Sequence, residues 1–415
     1  MKLPTSISHA PVILLTGAGA SAPLGLHPTK PFLRYFLNGP FRQLERKAES
    51  ERAGEMQKVL LNVRLLASPE NVDIERILSV LERNVNDVER LKADRAFIDT
   101  VTYGQVGALE TFIQCSQRVR DTIYQEVIKH YDTIDTRAAA SLYKPLFIDF
   151  RQWLGQVPRV GSTVPLFTLN YDRAVEAAAS QLGLDLVDGL QEEVGATERR
   201  WSRAAFENYK ESKDRPTVVL VKLHGSVRWG RTADNAIVQL PSGVGHNPGD
   251  LRQVVLYPND QLKPMHVDPF WTAYRIFRQC LNHAYLVVVI GCSLRDQEIQ
   301  TALADAMDDN EKLHIMHFGP ETSHKLLASD LGLDSTRIAA VHGRFEIPDP
   351  DQAENAFMAC IRGFAQTAAG VGRELGADRV FHFGETYDGW PWPSRDQLQR
   401  MVPTGRLRHR FGGRS

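Results

Sequence analysis

The chain has 415 residues, of which 43% are hydrophobic and 24% charged, and its formal net charge is -1. This balance is ordinary for a globular protein and does not favour binding to nucleic acid or to a membrane surface. The four cysteines form no Cys-x-x-Cys pair, which argues against a zinc ribbon or a disulfide framework and favours a reducing cytoplasm. With no signal-peptide core and no apolar run near the ~20 residues that span a bilayer, we expect a cytoplasmic protein without a membrane segment.

The first predicted strand, Pro11–Leu15, leads directly into a turn of small residues, Thr16-Gly-Ala-Gly-Ala-Ser21. A strand, a small-residue turn and a helix in succession let backbone N–H groups approach a phosphate closely. Glycine is needed where a Cβ atom would obstruct the ligand. Alone, Gly17-x-Gly19-x-x-Ala22 is a weak dinucleotide signal, because a tight turn without a ligand explains it equally well.

The segment after this turn changes character, and residues 41–159 have an almost wholly helical pattern. A helix is predicted to start near Pro31, and another opens near Asn71 or Asp73. Two apolar stripes follow at helical spacing: Ile74, Ile77, Leu78 and Leu81, then Val106, Leu109, Phe112, Ile113, Val119, Ile123 and Val127. We interpret this segment as an inserted helical bundle whose stripes form its core.

Strand and helix patterns alternate in the second half of the chain. Predicted strands cover residues 164–169, 217–223, 254–257, 285–290, 313–318 and 337–341; predicted helices cover 173–181, 269–282, 296–307 and 352–368. This alternation predicts crossover connections and a parallel sheet that is covered on both faces. The predicted fold class is therefore α/β, a Rossmann-like parallel sheet with a large helical insertion and a C-terminal α/β extension and tail.

Four predicted strands end in small or polar residues: Thr16-Gly-Ala-Gly19, Thr168-Leu-Asn-Tyr-Asp172, Leu223-His-Gly-Ser226 and Gly291-Cys-Ser293. Ligands of open parallel sheets bind outside the carboxyl ends of the strands, so these residues should meet in one crevice. Taken singly, Asn170 or Ser293 could cap a helix, and His224 could be a core histidine. Four such coincidences in one chain are much less probable than any one of them.

In this order, the motifs resemble the NAD-binding core of sirtuins. Their spacing resembles the bacterial sirtuin-like NADases of antiphage defence, in which a large helical insertion precedes the Thr-x-Asn-x-Asp strand. The resemblance covers residues 10–37 and 160–345. The cysteines cannot form the two Cys-x-x-Cys pairs of a sirtuin zinc module, and Pro28-Thr29-Lys30 stands where sirtuins have Pro-Asp-Phe-Arg. These departures argue against protein deacylation and leave NAD handling intact.

The resemblance implies that NAD+ is the substrate and that neither zinc nor another metal is needed. Asn170 would hold the ribose and a water, His224 would act as general base, and Asp172 would orient nicotinamide or stabilise positive charge. The residues expected to bind the remainder of the cofactor are Gly17, Ala18, Gly19, Ser21, Thr168, Gly291 and Ser293. The predicted activity is hydrolysis of the nicotinamide–ribose bond.

Other functions fit the sequence less well. An NAD(P)-dependent oxidoreductase needs an acidic residue at the end of a second strand, and residues 36–45 do not have a strand pattern. A P-loop ATPase needs a Gly-Lys-Ser/Thr sequence after the first turn. A non-catalytic NAD or ADP-ribose-binding regulatory subunit would not need both Asn170 and His224. This regulatory subunit and a protein deacylase remain the alternatives.

We expect three parts: an NAD-binding domain at 1–40 and 160–345, the helical bundle at 41–159, and a C-terminal helix and tail at 346–415. The tail contains Trp390-Pro-Trp-Pro393, and from Arg395 onward it has six arginines against one acid. It is a candidate segment for docking a partner. The resemblance implies an abortive-infection effector that forms a homo-oligomer and is regulated by a HerA-type hexameric ATPase. No direct sequence-specific contact with nucleic acid is expected.

Overall fold

The computed structural model describes residues 2–68, 72–93, 106–149, 163–192, 198–211, 216–232, 234–240, 252–255, 267–318, 337–341 and 345. Its strands are β1 (Val12–Thr16), β2 (Val164–Thr168), β3 (Asp185–Val187), β4 (Leu190–Glu192), β5 (Arg199–Trp201), β6 (Thr217–Lys222), β7 (Gly225–Arg231), β8 (Ile237–Gln239), β9 (Arg252–Val255), β10 (Leu286–Ile290), β11 (His314–Phe318) and β12 (Ile338–Val341). Seven of them form a parallel sheet in the order β12-β11-β10-β1-β2-β6-β3.

The central strand β1 shows why this sheet is buried on both faces. Because side chains alternate along a strand, Val12 and Leu14 pack into one hydrophobic cluster while Ile13 and Leu15 pack into another. All four are almost fully buried, and each such side chain stabilises the fold by roughly 1.5–3 kcal/mol. A strand that is apolar at every position is typical of a parallel sheet with helices on both sides.

Helices cover the two faces of this sheet and also fill the segment between β1 and β2. In chain order they are α1 (Thr5–Ser8), α2 (Ala18–Ser21), α3 (Thr29–Asn38), α4 (Pro40–Ser50), α5 (Gly54–Leu66), α6 (Ile74–Ala93), α7 (Val106–Asp132), α8 (Thr136–Lys144), α9 (Ala174–Gln181), α10 (Ala204–Glu207), α11 (Phe270–Leu281) and α12 (Gln297–Asp309). A 3-10 turn covers Ala22–Leu24, and a short π-helix covers Pro145–Asp149. Helices α8 and α9 pack on one face of the sheet, and α11 and α12 pack on the other.

The helices α3 to α7 share a hydrophobic cluster of their own. The cluster contains the predicted stripe of α6 and, from the predicted stripe of α7, Val119, Ile123 and Val127 with Phe112 packed against it. It extends to Tyr171 and Val227 beside the sheet. It also contains Phe32, Leu33 and Phe36 of α3, a helix that we had placed in the NAD-binding domain. The predicted division into domains stays a prediction, since residues 150–162 and 346–415 lie outside the described residues.

Five strands, two that precede β6 in the chain and three that follow it, form a second sheet that was not predicted from the sequence. Its strands pair antiparallel in the order β4-β5-β8-β7-β9. Most of these strands have only three or four residues. The sequence predicts that a strand ends in Leu223-His-Gly-Ser226, whereas Gly225 already begins β7. Strand β7 packs against the helical segment through Val227.

The predicted fold class is confirmed: the chain has a Rossmann-like α/β fold with a large helical insertion between β1 and β2. The predicted strands reappear as β1, β2, β6, β9, β10, β11 and β12, with ends shifted by one or two residues. The helix predicted at 352–368 and the Trp/Arg tail lie outside the described residues. Within the described chain, we find no helix long and apolar enough to cross a membrane.

Candidate functional site

A cleft of about 420 Å³ opens at the carboxyl ends of β1, β2, β6 and β10. From β1 the chain continues to β2 and β6 on one side, while β10, β11 and β12 extend the sheet on the other. The cleft therefore lies at the switch point of the sheet, where open α/β folds bind ligands. Nine of the ten predicted site residues line it: Gly17, Ala18, Gly19, Ser21, Asn170, Asp172, His224, Gly291 and Ser293.

Thr168, the tenth predicted site residue, does not line the cleft. It is the buried last residue of β2, and its hydroxyl accepts a 3.0 Å hydrogen bond from the backbone N–H of Asn170. The hydroxyl thus supports the loop that carries Asn170. The structure thus places Thr168 outside the lining of the cleft, and its contact with a ligand stays a prediction.

The glycines of the first turn interlock with the turn that follows β10. The N–H groups of Gly17 and Gly19 donate to the carbonyl oxygens of Ile290 and Gly291 at 3.0 and 2.8 Å. A Cβ atom on Gly17 would lie 2.6 Å from Cys292 Cα, and one on Gly19 would lie 2.8 Å from Gly291 Cα. Close packing of the two turns therefore explains both glycines. A phosphate cannot use their N–H groups, so any contact would come from close approach to the Cα atoms.

Gly291 completes this interlocked pair of turns. Its φ of +61° lies in the left-handed region that favours glycine. A Cβ atom here would lie 2.3 Å from the backbone nitrogen of Ala20. The sequence signal Gly-Cys-Ser after a buried strand thus reflects a steric requirement at the floor of the cleft.

The side-chain amide of Asn170 is hydrogen-bonded to two residues of the first turn. Its Nδ2 donates to the carbonyl of Gly17 and to the hydroxyl of Ser21, both at 3.0 Å. Of the two polar groups of a side-chain amide, only the NH2 group donates, so the contact with the Gly17 carbonyl fixes the orientation of the Asn170 amide. Among the described residues, Oδ1 has no hydrogen-bond partner, and it remains as the acceptor for a ligand.

Asp172 closes the same loop just before α9. Its Oδ1 accepts from the N–H of Ala174, the first residue of that helix, at 2.9 Å, while Arg173 occupies the N-cap position without a side-chain cap. Burial raises the pKa of Asp172, an effect opposed by the nearby charge of Lys222 and by hydrogen bonds from Ala174 and Ser21. Its carboxyl group is therefore committed in part to holding the loop.

Lys222, which the sequence analysis did not select, lies beneath this loop. Lys222 is 4% exposed. Its ammonium donates to the backbone carbonyls of Asn170 and Asp172 and lies 3.2 Å from Oε1 of Glu176. A buried ammonium needs such partners because its desolvation is costly. The available signal was a lysine at the end of a strand, Thr217–Lys222, that is otherwise β-branched and apolar.

His224 reaches the cleft from the point where the chain leaves the parallel sheet. Gly225 follows with a φ of +82°, which lets the chain turn from β6 into β7. The imidazole is buried, and its Nε2 lies 2.9 Å from Oδ2 of Asp296 and 3.5 Å from the hydroxyl of Tyr274. Nδ1 has no hydrogen-bond partner in the described part of the chain.

Asp296 is a second residue that the sequence analysis missed. It caps α12, accepting through Oδ1 from the N–H groups of Glu298 and Ile299, so the cap that we had considered for Ser293 belongs to Asp296. Ser293 is exposed at the cleft. Burial, and next the charge of Asp296, raise the pKa of Tyr274, so its hydroxyl stays protonated.

The opposite side of the cleft is made by the helical segment through Asp73, Glu75 and Tyr131. Asp73 caps α6 by accepting from the N–H of Arg76, and Tyr131 donates to the carbonyl of His27 at 2.6 Å. Glu75 accepts a 2.6 Å hydrogen bond from Tyr171, which stands between Asn170 and Asp172. The sequence predicts the apolar stripes of these helices and the start of α6 near Asn71 or Asp73, but not which polar side chains reach the cleft.

Basic side chains at the rim, Lys30 and Arg295, are available to an anionic ligand. Within the described residues, no group of three or more His, Cys, Asp or Glu side chains is arranged to hold a metal ion. The cleft thus joins the imidazoles of His27 and His224, one orienting amide and two basic side chains with several carboxylates. This arrangement suits a polar, anionic ligand with hydroxyl groups.

The fold and the cleft define a doubly wound α/β protein with a ligand site at the switch point of its sheet. Comparison with known families gives this class a closer description, because a model of the SIR2-like domain matches residues 165–333. That range includes Asn170, Asp172, His224, Gly291 and Ser293. It begins after the glycine-rich turn and the helical insertion.

Comparisons with individual proteins give remote similarities. No curated protein matches the chain. Among solved structures, the chain is similar to a Sir2 homologue in complex with NAD, at 14% identity over 88% of this chain and 93% of that one, with a TM-score of 0.40. A mutant Sir2 homologue in complex with ADP-ribose gives 14% identity over 88% and 96%, with a TM-score of 0.42.

Proposed function

We propose that this protein is an NAD+ glycohydrolase, which cleaves the bond between nicotinamide and ribose to give nicotinamide and ADP-ribose. One observation carries the proposal: Asn170 and His224 line the same cleft, and each keeps one acceptor atom, Oδ1 and Nδ1, without a partner among the described residues. The SIR2-like match over residues 165–333 supports NAD as the ligand.

The chemistry needs little more than these two groups. The leaving nicotinamide is neutral once the glycosidic bond breaks, so no acid is required, and the ribose C1′ becomes an oxocarbenium-like centre. A water adds to C1′ and loses its proton to Nδ1 of His224. Asn170 Oδ1 accepts a hydrogen bond from a ribose hydroxyl or from that water and so fixes its position.

The surrounding residues have supporting parts in this proposal. The interlocked turns, Gly17–Ser21 and Gly291–Ser293, shape the floor beside the phosphates, and Lys30 and Arg295 provide positive charge at the rim. Asp172 is expected to lie near nicotinamide, and Lys222 holds the loop between Asn170 and Asp172 in place. The cleft volume of about 420 Å³ lies within the range of small-molecule sites.

Incubation of the purified protein with NAD+ tests the proposal, with nicotinamide and ADP-ribose measured by chromatography. Asn170→Ala and His224→Ala are each expected to lower kcat by about 10²–10⁴-fold. Asn282→Ala and His283→Ala are matched controls, since both residues are exposed and precede β10 at the opposite edge of the sheet. Loss of activity in the controls as well, or its retention in both site variants, would contradict the assignment.

The same experiment separates the two alternatives. A regulatory subunit would bind ADP-ribose or NAD+ in calorimetry without releasing nicotinamide. A deacylase would release nicotinamide only when an acyl-lysine peptide is present. Analysis of the sugar product distinguishes hydrolysis from cyclisation, and parallel reactions with NADP+ define the nucleotide preference.

We propose further that the activity serves antiphage defence by abortive infection, in a homo-oligomer that is regulated by a HerA-type hexameric ATPase. The support is the resemblance in sequence and the Trp390-Pro-Trp-Pro393 segment with its arginine-rich tail. Light scattering measures the size of the oligomer. Co-elution of the two purified proteins is expected, and the truncation of residues 389–415 should weaken it; two proteins that never associate would contradict this part.

A further inference from the structure

Asp296 uses its two carboxylate oxygens for two different tasks. Oδ1 accepts from the backbone N–H groups of Glu298 and Ile299 at 2.9 and 3.3 Å, which caps α12. Oδ2 lies 2.9 Å from Nε2 of His224. Asp296 is 4% exposed, and His224 is 1% exposed. The start of α12 is thereby connected to the proposed general base.

The chain contains a second aspartate with the same cap and no histidine. Asp135 caps α8, with its Oδ1 accepting from the N–H groups of Arg137 and Ala138 at 2.9 and 3.1 Å. Its backbone angles, φ -70° and ψ 108°, nearly equal the φ -71° and ψ 115° of Asp296. Asp135 is exposed. Capping alone therefore does not require that the second oxygen be buried against an imidazole.

We propose that Asp296 is a positioning residue that keeps the proton of His224 on Nε2. An ionised carboxylate only accepts hydrogen bonds, so the nitrogen that faces it must carry the hydrogen. In the neutral imidazole, which carries one hydrogen, Nδ1 is then the acceptor for the ligand. For its consequence in catalysis, this inference rests on the proposed function, in which Nδ1 takes a proton from water.

Replacing Asp296 by asparagine reverses this arrangement without removing the cap. The backbone N–H groups of α12 still need an acceptor, so the amide oxygen takes the place of Oδ1, and asparagine caps helices about as well as aspartate. The amide nitrogen then faces Nε2 and can only donate to it. His224 must respond by carrying its hydrogen on Nδ1, where it can no longer accept a proton.

The test compares Asp296→Asn with Asp135→Asn in the full-length protein. With NAD+ as substrate, Asp296→Asn should lower kcat by about 10²–10⁴-fold with KM changed by less than about threefold. Asp135→Asn should leave both constants unchanged. The two variants should have similar melting temperatures. Asp296→Ser, which keeps a capping hydroxyl and leaves the tautomer unfixed, should give a smaller loss and serves if Asp296→Asn does not fold.

A spectroscopic measurement decides the inference independently of activity. Nitrogen-15 NMR of protein labelled at the histidine rings, with the His224 signals assigned by their loss in His224→Ala, reports which nitrogen carries the hydrogen. We expect Nε2 in the wild type and in Asp135→Asn, and Nδ1 in Asp296→Asn. A hydrogen on Nδ1 in the wild type, or full activity of Asp296→Asn, would overturn the inference. A wild type that binds but never cleaves NAD+ would overturn only the proposed function.

Discussion

One wall of the cleft is formed by the loops at the carboxyl ends of the sheet strands, and the other is formed by the helical segment through Asp73, Glu75 and Tyr131. These two walls, called the sheet wall and the helical wall, use their polar groups differently. On the sheet wall, Asn170 and His224 each have one atom engaged by the protein and one acceptor left for a ligand. On the helical wall, the polar groups of Asp73, Glu75 and Tyr131 are all engaged in hydrogen bonds within the protein. The sheet wall therefore presents the groups that can act on a ligand, and the helical wall holds the loops that carry those groups.

This difference shows how an inserted segment can belong to a site without carrying its reactive groups. Glu75 and Tyr131 hold two loops that stem from the sheet, one containing Tyr171 and the other containing His27. Arg228 of β7 and Arg173 both approach Asp132 at the end of α7. Substitutions on the sheet wall should therefore abolish folding or chemistry, whereas those on the helical wall should have graded effects on stability.

The largest effect is expected on the sheet wall, at the interlocked turns. Gly291→Ala places a Cβ atom 2.3 Å from the nitrogen of Ala20 in a backbone with φ of +61°. Because backbone atoms on both sides prevent relief, we expect a loss of about 2–6 kcal/mol in the free energy of unfolding. Denaturant titration followed by circular dichroism measures this loss.

Gly25→Ala is the matched control for this change. Gly25 has φ of +77°, and its added Cβ would meet nothing within 4 Å. Only the cost of the left-handed backbone remains, about 1–2 kcal/mol. Equal losses in the two variants would show that the turns are not interlocked as described.

An intermediate effect is expected where the two walls meet. Tyr171→Phe removes the hydroxyl that donates to the buried Glu75 at 2.6 Å, and a hydrogen bond to a charged group contributes about 1.5–3 kcal/mol. Tyr35→Phe should change stability by less than about 0.5 kcal/mol, because the Tyr35 hydroxyl lies 3.5 Å from Glu126 at an exposed position. Urea unfolding of both variants measures the change in stability, and a double-mutant cycle with Glu75→Gln measures the coupling energy between Tyr171 and Glu75. A coupling energy of zero would contradict a stabilising contact between the two walls.

The smallest effect concerns the contact between α7 and the loop that contains His27, and it depends on pH. Burial, and then the charge of His27, lower the pKa of His130, whose Nε2 accepts a 2.9 Å hydrogen bond from the N–H of His27. The unfolded chain therefore binds a proton at His130 more readily than the folded protein does. The contribution of the neutral His130 to stability is present above about pH 6.5 and declines as the pH falls through the folded-state pKa of His130.

His130→Gln isolates this effect, since an amide keeps an acceptor and does not titrate. The wild type should lose stability relative to this variant between about pH 7 and pH 5, and denaturant unfolding at a series of pH values measures the difference. Near pH 8, where His130 is neutral, the difference in unfolding free energy between the two proteins should no longer change with pH. Parallel curves throughout the series would mean that His130 contributes nothing to the pH dependence.

Much of the sheet wall could be predicted from the sequence. Buried strands such as β1 and β10 are continuous apolar runs, and the residues that follow them are small or polar. In a parallel sheet, these two facts place Gly17, Asn170, His224 and Gly291 at a common edge. Nine of the ten predicted site residues line the cleft for this reason.

The rest could not be predicted because it depends on contacts between distant segments. Asp296 has the sequence context of an ordinary helix cap, as Asp135 does, and only the fold brings His224 beside it. Lys222 was hidden as the last residue of an apolar strand. The second sheet is built from short strands whose residues lack a clear alternation, and helical periodicity reveals a core without revealing which polar side chains reach the cleft.

The hydrogen bond from Gly19 to Gly291 determines when the cleft can form during synthesis of the chain. The floor of the cleft joins the turn after β1 to the turn after β10, which is synthesised much later, and Asp296 follows later still. A nascent chain therefore has no complete cleft until the start of α12 has been made, so a ligand cannot occupy the assembled site before that point.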